Sequence, residues 1–340
     1  WLLDLQGREL PEMQIAHVSP WRLPVRGYGG SQRVLTWLVR AQVDRGDQVT
    51  VFAPPGTRLP GARVIPLPGA LGSKETADCL RDAAAGADVI HWQQFPQNPI
   101  VDRPWVSTVH GNSPGELEFH PNKIYVSRSH AKRAGSSAFV HNGLDPAEYV
   151  FRESKDDYIL FLSKVSRKSK GVDTALRLAH ELGFRLVVAG GSRWDLLKTG
   201  GWWNSWRTRV EFVGEVDGAR KAELLANARA LLFPIRWPEP FGLVVIEALV
   251  SGTPVITAPL GAMPEIVTPE VGFLCTTMED YRRAIERVEE ISPFACRQRV
   301  LQAFTHHHMA AAYEQHYTHA IARWREQASR QSNGTGVVAR

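Results

Sequence analysis

The sequence predicts an α/β protein of two doubly wound parallel sheets whose domains face each other across a cleft, and three observations carry that expectation. The chain has 340 residues, more than one ordinary domain requires. From Met13 onward, short β-branched runs alternate with helical stretches, the pattern of βα units on a parallel sheet. The alternation breaks over residues 143–157, where Asp145, Pro146 and a charged run intervene, and then starts again.

In the first series, QIAHV, QVTVF, RVIPL, VIH, WVSTV, KIYV and AFV read as strands at 14–18, 48–52, 63–67, 89–91, 105–109, 123–126 and 138–140. Helices fit between them at 31–43, 74–85 and 129–134. In the second, strands are expected at 158–162, 185–189, 210–213, 230–233 and 255–257, with helices at 172–182, 218–227 and 242–250. The first domain is thus placed at 13–148 and the second at 155–304. A helix at 305–326 follows, with residues 1–12 and the polar stretch 327–340 as extensions. Doubly wound sheets bind ligands at their carboxyl edges, so the chemistry is expected between the domains.

Composition narrows the partners. Hydrophobic residues make up 44% and charged residues 22%, ordinary for a globular protein with a large core. Of the net charge of +5, about +1 falls in residues 1–150 and +4 in the rest, without a long basic block. That suits a small anionic ligand and argues against nucleic acid. Cys79, Cys275 and Cys296 are odd in number and lack CxxC spacing, as expected of a reducing, cytoplasmic setting with no metal framework. No window approaches the roughly 18 apolar residues of a membrane span, although peripheral membrane contact is compatible with the sequence.

The most informative stretch is PEPFGLVVIE, ending at Glu247. It joins an apolar strand to an apolar helix through a loop with Pro238, Pro240 and Gly242. Free N–H groups at a helix start favour an anion, and glycine lets a phosphate approach closely. Two carboxylates, Glu239 and Glu247, beside such a site make sense if they bind neutral hydroxyls on either side of a diphosphate. Glu247 interrupts an otherwise apolar helix, LVVIEALV, where a carboxylate is costly without partners.

These residues, with EALVSGTPVI at 247–256, GAMPEIV at 261–267, GYGG at 27–30, HNGLD at 141–145, FLSKVSRKSKG at 161–171 and VEFVGEV at 210–216, resemble the family-four retaining glycosyltransferases of the GT-B type, built from two Rossmann-like domains. The likeness runs along almost the whole chain. It implies transfer of a sugar from a nucleotide diphosphate sugar to a hydroxyl of a sugar, lipid-linked sugar or natural-product acceptor, with retention and without metal or cofactor. By the same resemblance Glu239 binds hydroxyls of the transferred sugar, Glu247 the ribose, and the main chain at Phe241, Gly242 and Leu243 the diphosphate. Lys164 and Lys170 neutralise the leaving group, Lys164 standing where the family usually has Arg, with Arg167 or Lys168 able to share the role. Gly29 and Gly30 approach the phosphate or acceptor, His110 contacts the donor sugar, and Gly190 and Val213 complete the donor side. Glu265 is a further donor-contact candidate, and Gln32 replaces a common glutamate.

Other readings compete. A nucleotide-sugar epimerase or a glycoside phosphorylase would share this fold. A nicotinamide-dependent dehydrogenase fits less well, because SPWRLPVRGYGGS lacks a clean GxGxxG directly after the strand. A non-catalytic binding module would not need the Glu pair. Three consecutive histidines, 306–308, point about 100° apart on a helix and are not expected to converge on a metal. Trp202, Trp203 and Trp206 are expected to be packed, with an aromatic platform for a partner as the alternative.

Overall fold

The protein is described by a computed structural model covering residues 12–25, 27, 29–96 and 102–334. The expected leading extension up to residue 11, the tail beyond 334 and Tyr28 lie outside the described residues.

The first half forms β1 (Gln14–Val18), α1 (Gly30–Asp44), β2 (Gln48–Ala53), β3 (Arg63–Pro66), α2 (Lys74–Ala83), β4 (Val89–Trp92), β5 (Trp105–Val109), α3 (Pro114–Leu117), β6 (Lys123–Tyr125) and α4 (Arg128–Arg133). The second forms β7 (Asp156–Leu162), α5 (Val172–Leu182), β8 (Leu186–Ala189), α6 (Leu196–Thr199), α7 (Trp202–Trp206), β9 (Val210–Gly214), α8 (Gly218–Asn227), β10 (Ala228–Phe233), α9 (Leu243–Val250), β11 (Val255–Thr257), α10 (Met263–Ile266), β12 (Gly272–Leu274), α11 (Met278–Arg287) and α12 (Pro293–Ala303). A last helix, α13 (His306–Gly334), closes the chain.

Each half folds into a six-stranded sheet, ordered β3-β2-β1-β4-β5-β6 and β12-β11-β10-β7-β8-β9, with parallel pairing throughout. Counted within its own half, each sheet has the 3-2-1-4-5-6 order of a dinucleotide-type fold. The order reverses between β1 and β4 in one sheet and between β7 and β10 in the other. β8, LVVA, is buried throughout and reads as a continuous apolar run, whereas β4 and β5, equally buried, also carry His91, Ser107 and Thr108.

Residues 138–140 form no strand of the sheet. They meet β6 only at Tyr125, through Tyr125 N to Ala138 O and Val140 N to Tyr125 O, before the chain leaves for the second half. The short edge strand β12 was not anticipated, because three residues beginning with glycine carry no period. The last helix also runs past residue 326. It lies against α1, β4 and β5, and buries Met309, Ala310, Tyr313, Tyr317 and Ala320, a three-to-four spacing along one face.

The two passages of chain between the halves pair with each other: Leu144 N donates to Phe304 O and His306 N to Leu144 O. The largest buried apolar cluster includes residues of both halves, from Trp37 and Val106 to Leu231 and Ile246, with Phe304 and Tyr313 between. In the insertion after β8 the aromatic expectation fails in part. Trp202 packs on the second sheet's core, whereas Trp194, Trp203 and Trp206 are 70%, 78% and 63% exposed.

Candidate active site

The loops that leave the sheets near the two switch points line one cleft of about 340 Å³. From the first half come Gly29, Gly30, Arg33, His110 and Asn142; from the second come Ser163, Arg167, Lys170, Lys221, Trp237, the run from Glu239 to Val244, and Glu247.

The Glu239 loop is fixed from behind. Gly261 (φ +63°) lies so close that a Cβ there would overlap Glu239 N and O, and Ala262 N donates to Glu239 O at 3.0 Å. The Glu239 carboxylate accepts from Lys170 Nζ and from Trp237 Nε1, each at 2.6 Å. Gly242 then adopts a left-handed conformation (φ +89°) and starts α9. That turn leaves the first N–H groups of the helix at the cleft wall, the arrangement that favours an anion.

Glu247, five positions further on, is 3% exposed. Its Oε1 accepts from Lys221 Nζ at 2.5 Å and Tyr149 Oη at 2.8 Å, with Arg33 Nη1 at 3.8 Å from the opposite half. Burial pushes its pKa up, but Lys221, Arg33 and the Tyr149 hydroxyl outweigh that and hold the carboxyl below its ordinary range.

His110, at the end of β5, sits edge-on to Trp21, and burial pushes its pKa down to about 4. A buried polar chain fixes its tautomer. His110 Nε2 donates to Gln93 Oε1 (3.2 Å), Gln93 Nε2 to His17 Nδ1 (3.4 Å), His17 Nε2 to Gln42 Oε1 (2.7 Å), and Gln42 Nε2 to Tyr317 Oη (3.1 Å). The chain continues from Tyr317 Oη to His91, Thr108 and Tyr313. Because amide oxygens only accept, the Gln93 contact puts a proton on Nε2; burial keeps the ring neutral, and Nδ1 is then the acceptor.

The sequence-based assignments divide accordingly. Gly29, Gly30, His110, Lys170, Glu239, Phe241, Gly242, Leu243 and Glu247 all line the cleft. The helix start at Gly30 approaches the other half closely: a Cβ there would stand 3.0 Å from Leu243 Cδ1. Lys164, Gly190 and Val213 are not among the lining residues. Gly190 instead lets the β7 loop pass, donating to Gly214 O at 2.8 Å and accepting from Val165 N at 3.1 Å, and Val213 packs on the core. Arg167, from the same loop as Lys164, is among the lining residues. Glu265 also lies off the cleft wall. It clamps the halves together by accepting from Arg128 N, Ser129 N and His141 Nε2 at 2.7–3.0 Å.

Arg33, Lys221 and Asn142 were missed. Lys221 on α8 reads as a solvated helical lysine, and only tertiary contact distinguishes it. Arg33 left a usable signal, since it stands in the first turn of the helix that the glycine pair opens. Asn142 lies within the HNGLD match without having been singled out. Among the lining side chains Arg33, Arg167, Lys170 and Lys221 face Glu239 and Glu247, a surplus of two positive charges.

Two Rossmann-order domains with a basic, carboxylate-bearing cleft at their switch points are the architecture of the GT-B glycosyltransferases. Comparison with known proteins agrees: residues 148–300 match the glycosyl transferases group 1 family. The phosphatidyl-myo-inositol mannosyltransferases of Mycolicibacterium smegmatis and Mycobacterium tuberculosis are each 26% identical to it, over 75% and 77% of this chain and 78% and 82% of theirs. Among solved structures, AviGT4, a glycosyltransferase involved in avilamycin A biosynthesis, matches with a TM-score of 0.76 at 28% identity, covering 91% of this chain and 98% of that one. HepE from Anabaena, in complex with UDP and glucose, shares the fold with a TM-score of 0.67 at 19% identity over 90% and 100%.

Proposed function

We propose that the cleft binds a nucleoside diphosphate sugar and transfers its sugar to an acceptor hydroxyl with retention, without a metal ion or cofactor, in the cytoplasm. The observation that carries this is the surplus of two positive charges around the α9 helix start, which complements a diphosphate, with a carboxylate on either side for neutral hydroxyls. Glu247, held ionised, is suited to accept from ribose hydroxyls. Glu239 is suited to the sugar, Lys170 passing to the diphosphate when the donor arrives. His110 Nδ1 and the buried, unpartnered Oδ1 of Asn142 offer acceptors for further hydroxyls.

In this reaction the bond from the anomeric carbon to the phosphate oxygen breaks as the acceptor oxygen bonds from the same face. The acceptor proton goes to the departing phosphate oxygen. The protein supplies no nucleophile; Lys170, Arg167 and the helix start stabilise the charge that develops on the leaving group, commonly a large term. HepE's complex with UDP and glucose supports a nucleotide-linked donor, and the mannosyltransferase relatives support an acceptor carrying sugar or polyol hydroxyls.

The test is to incubate candidate nucleotide sugars with and without acceptors and to assign the product's anomeric configuration by NMR. Lys170→Ala and Glu239→Gln should each lower transfer at least about a hundredfold, the scale of losing one charge-stabilising group, with unchanged circular dichroism. Near-normal transfer by both variants, or an inverted product, would overturn the assignment.

A further inference from the structure

We propose that His306, His307 and Asp44 form a binding site for one transition-metal cation, Zn²⁺ in the first instance, that ties the start of the last helix to the end of the first. One ligand atom from each of the three residues lies within 4.8 Å of the others. Neighbouring positions on a regular helix diverge by about 100°. At the first turn of α13, however, the His306 and His307 rings lie with centroids 4.1 Å apart and planes 36° from parallel. Asp44 is the last residue of α1, brought alongside by the packing of α13 on α1. The third histidine is otherwise engaged: His308 Nδ1 lies 2.7 Å from Thr305 Oγ1.

A second observation points to a ligand. His306 is only 5% exposed, yet its Nδ1 has no hydrogen-bond partner. A buried polar atom left unpaired costs free energy that coordination can offset. Two imidazoles and a carboxylate form a donor set suited to Zn²⁺, Cu²⁺ or Ni²⁺ and unsuited to Mg²⁺, which prefers oxygen. At bond lengths near 2.1 Å, tetrahedral ligand atoms stand roughly 3.4 Å apart. Asp44 and His307 are exposed and can turn inward, leaving a fourth position to water.

The surrounding charges are mixed. Asp145 and the carbonyl end of α1 favour a cation, and Arg40 and the amino end of α13 oppose it, Arg40 being already paired with Asp145 at 2.5 Å and Glu148 at 2.9 Å. The site adjoins the point where the two interdomain passages pair, Leu144 with Thr305. Its role is therefore to fasten the returning helix to the first domain. The ion takes no part in glycosyl transfer.

The test uses the full chain, freed of any polyhistidine tag and stripped with EDTA, titrated with ZnCl₂ by calorimetry and followed by thermal unfolding. One ion per chain should bind with micromolar or tighter affinity and raise Tm, and Mg²⁺ should do neither. Asp44→Ala and His307→Ala, both at exposed positions, should fold normally and each weaken binding at least tenfold, the scale on which even outer-shell losses act. His308→Ala should bind as the parent does. The site is refuted if no stoichiometric binding occurs below about 100 μM, if the Asp44 and His307 variants bind like the parent, or if His308→Ala loses binding equally.

Discussion

Lys164 and Arg167 lie three residues apart in one loop, and only Arg167 lines the cleft. Sequence favours Lys164, because it stands at the family's Arg position, and names Arg167 or Lys168 as able to share the role. Arginine's planar fork can hold two phosphate oxygens at once, which an ammonium cannot. Arg167→Ala should therefore weaken binding of the matching nucleoside diphosphate by roughly tenfold or more, on the scale of a charged hydrogen bond. Lys164→Ala should change it by less than about threefold. Calorimetric titration of both variants decides this, and the reverse ranking would return the role to Lys164. The Glu239 and Glu247 pair was legible because its spacing spans one loop and one helix. Arg33 and Lys221, the cations facing Glu247, come from two other elements, and their union exists only in the fold.

At the scale of elements, the loop before α9 is set by a second element that never touches the cleft. Gly261 begins the turn that leads into α10, and its bare Cα is what allows Glu239 to lie against it. This gives a physical reason for the glycine in GAMPEIV. Gly261→Ala would both strain a left-handed residue and force the Glu239 backbone away, disturbing the Lys170 and Trp237 contacts. The variant should lower Tm and reduce transfer far more than donor affinity, because the α9 helix start and Arg167 remain in place. Loss of both in equal measure would indicate general unfolding of the loop instead. Most elements were legible here, since strands buried on both faces read as unbroken apolar runs. The exceptions were residues 138–140, β12 and the short helices α3 and α10, too short for a period to show, and the Trp-bearing insertion, where α7 half-buries Trp202 and leaves Trp203 and Trp206 in solvent. A five-residue helix carries too little pattern to say which face is covered.

The whole molecule is joined by one buried polar network as well as by its core. His17, His91, Gln42, Tyr313 and Tyr317 connect β1, β4 and α1 to the last helix, and Gln93 extends the connection to His110 in the cleft. The sequence showed the fold around this network but gave no sign of it, because its members are scattered through five segments far apart in the chain. The network consumes neutral imidazoles. Burial pushes His17, His110 and His130 down to about 4 and His91 well below its ordinary value. A histidine whose folded pKa lies below its unfolded value of about 6.5 contributes stability that is complete above that value and is lost as pH falls toward 4. Glu247, with its pKa lowered, loses its contribution only at still lower pH, in the same direction. Between pH 6.5 and 4 the unfolded chain binds more protons, so stability must rise with pH. Each such imidazole contributes a difference of about 2 kcal/mol between pH 7.5 and pH 5. Tm measured by circular dichroism should therefore fall by at least about 5 °C over that interval, and His17→Gln, which removes one titrating ring while keeping a polar side chain, should flatten the dependence. A Tm that stays level or rises on acidification would mean that the folded protein takes up these protons, and the neutral network assigned to His17, His91 and His110 would then be wrong.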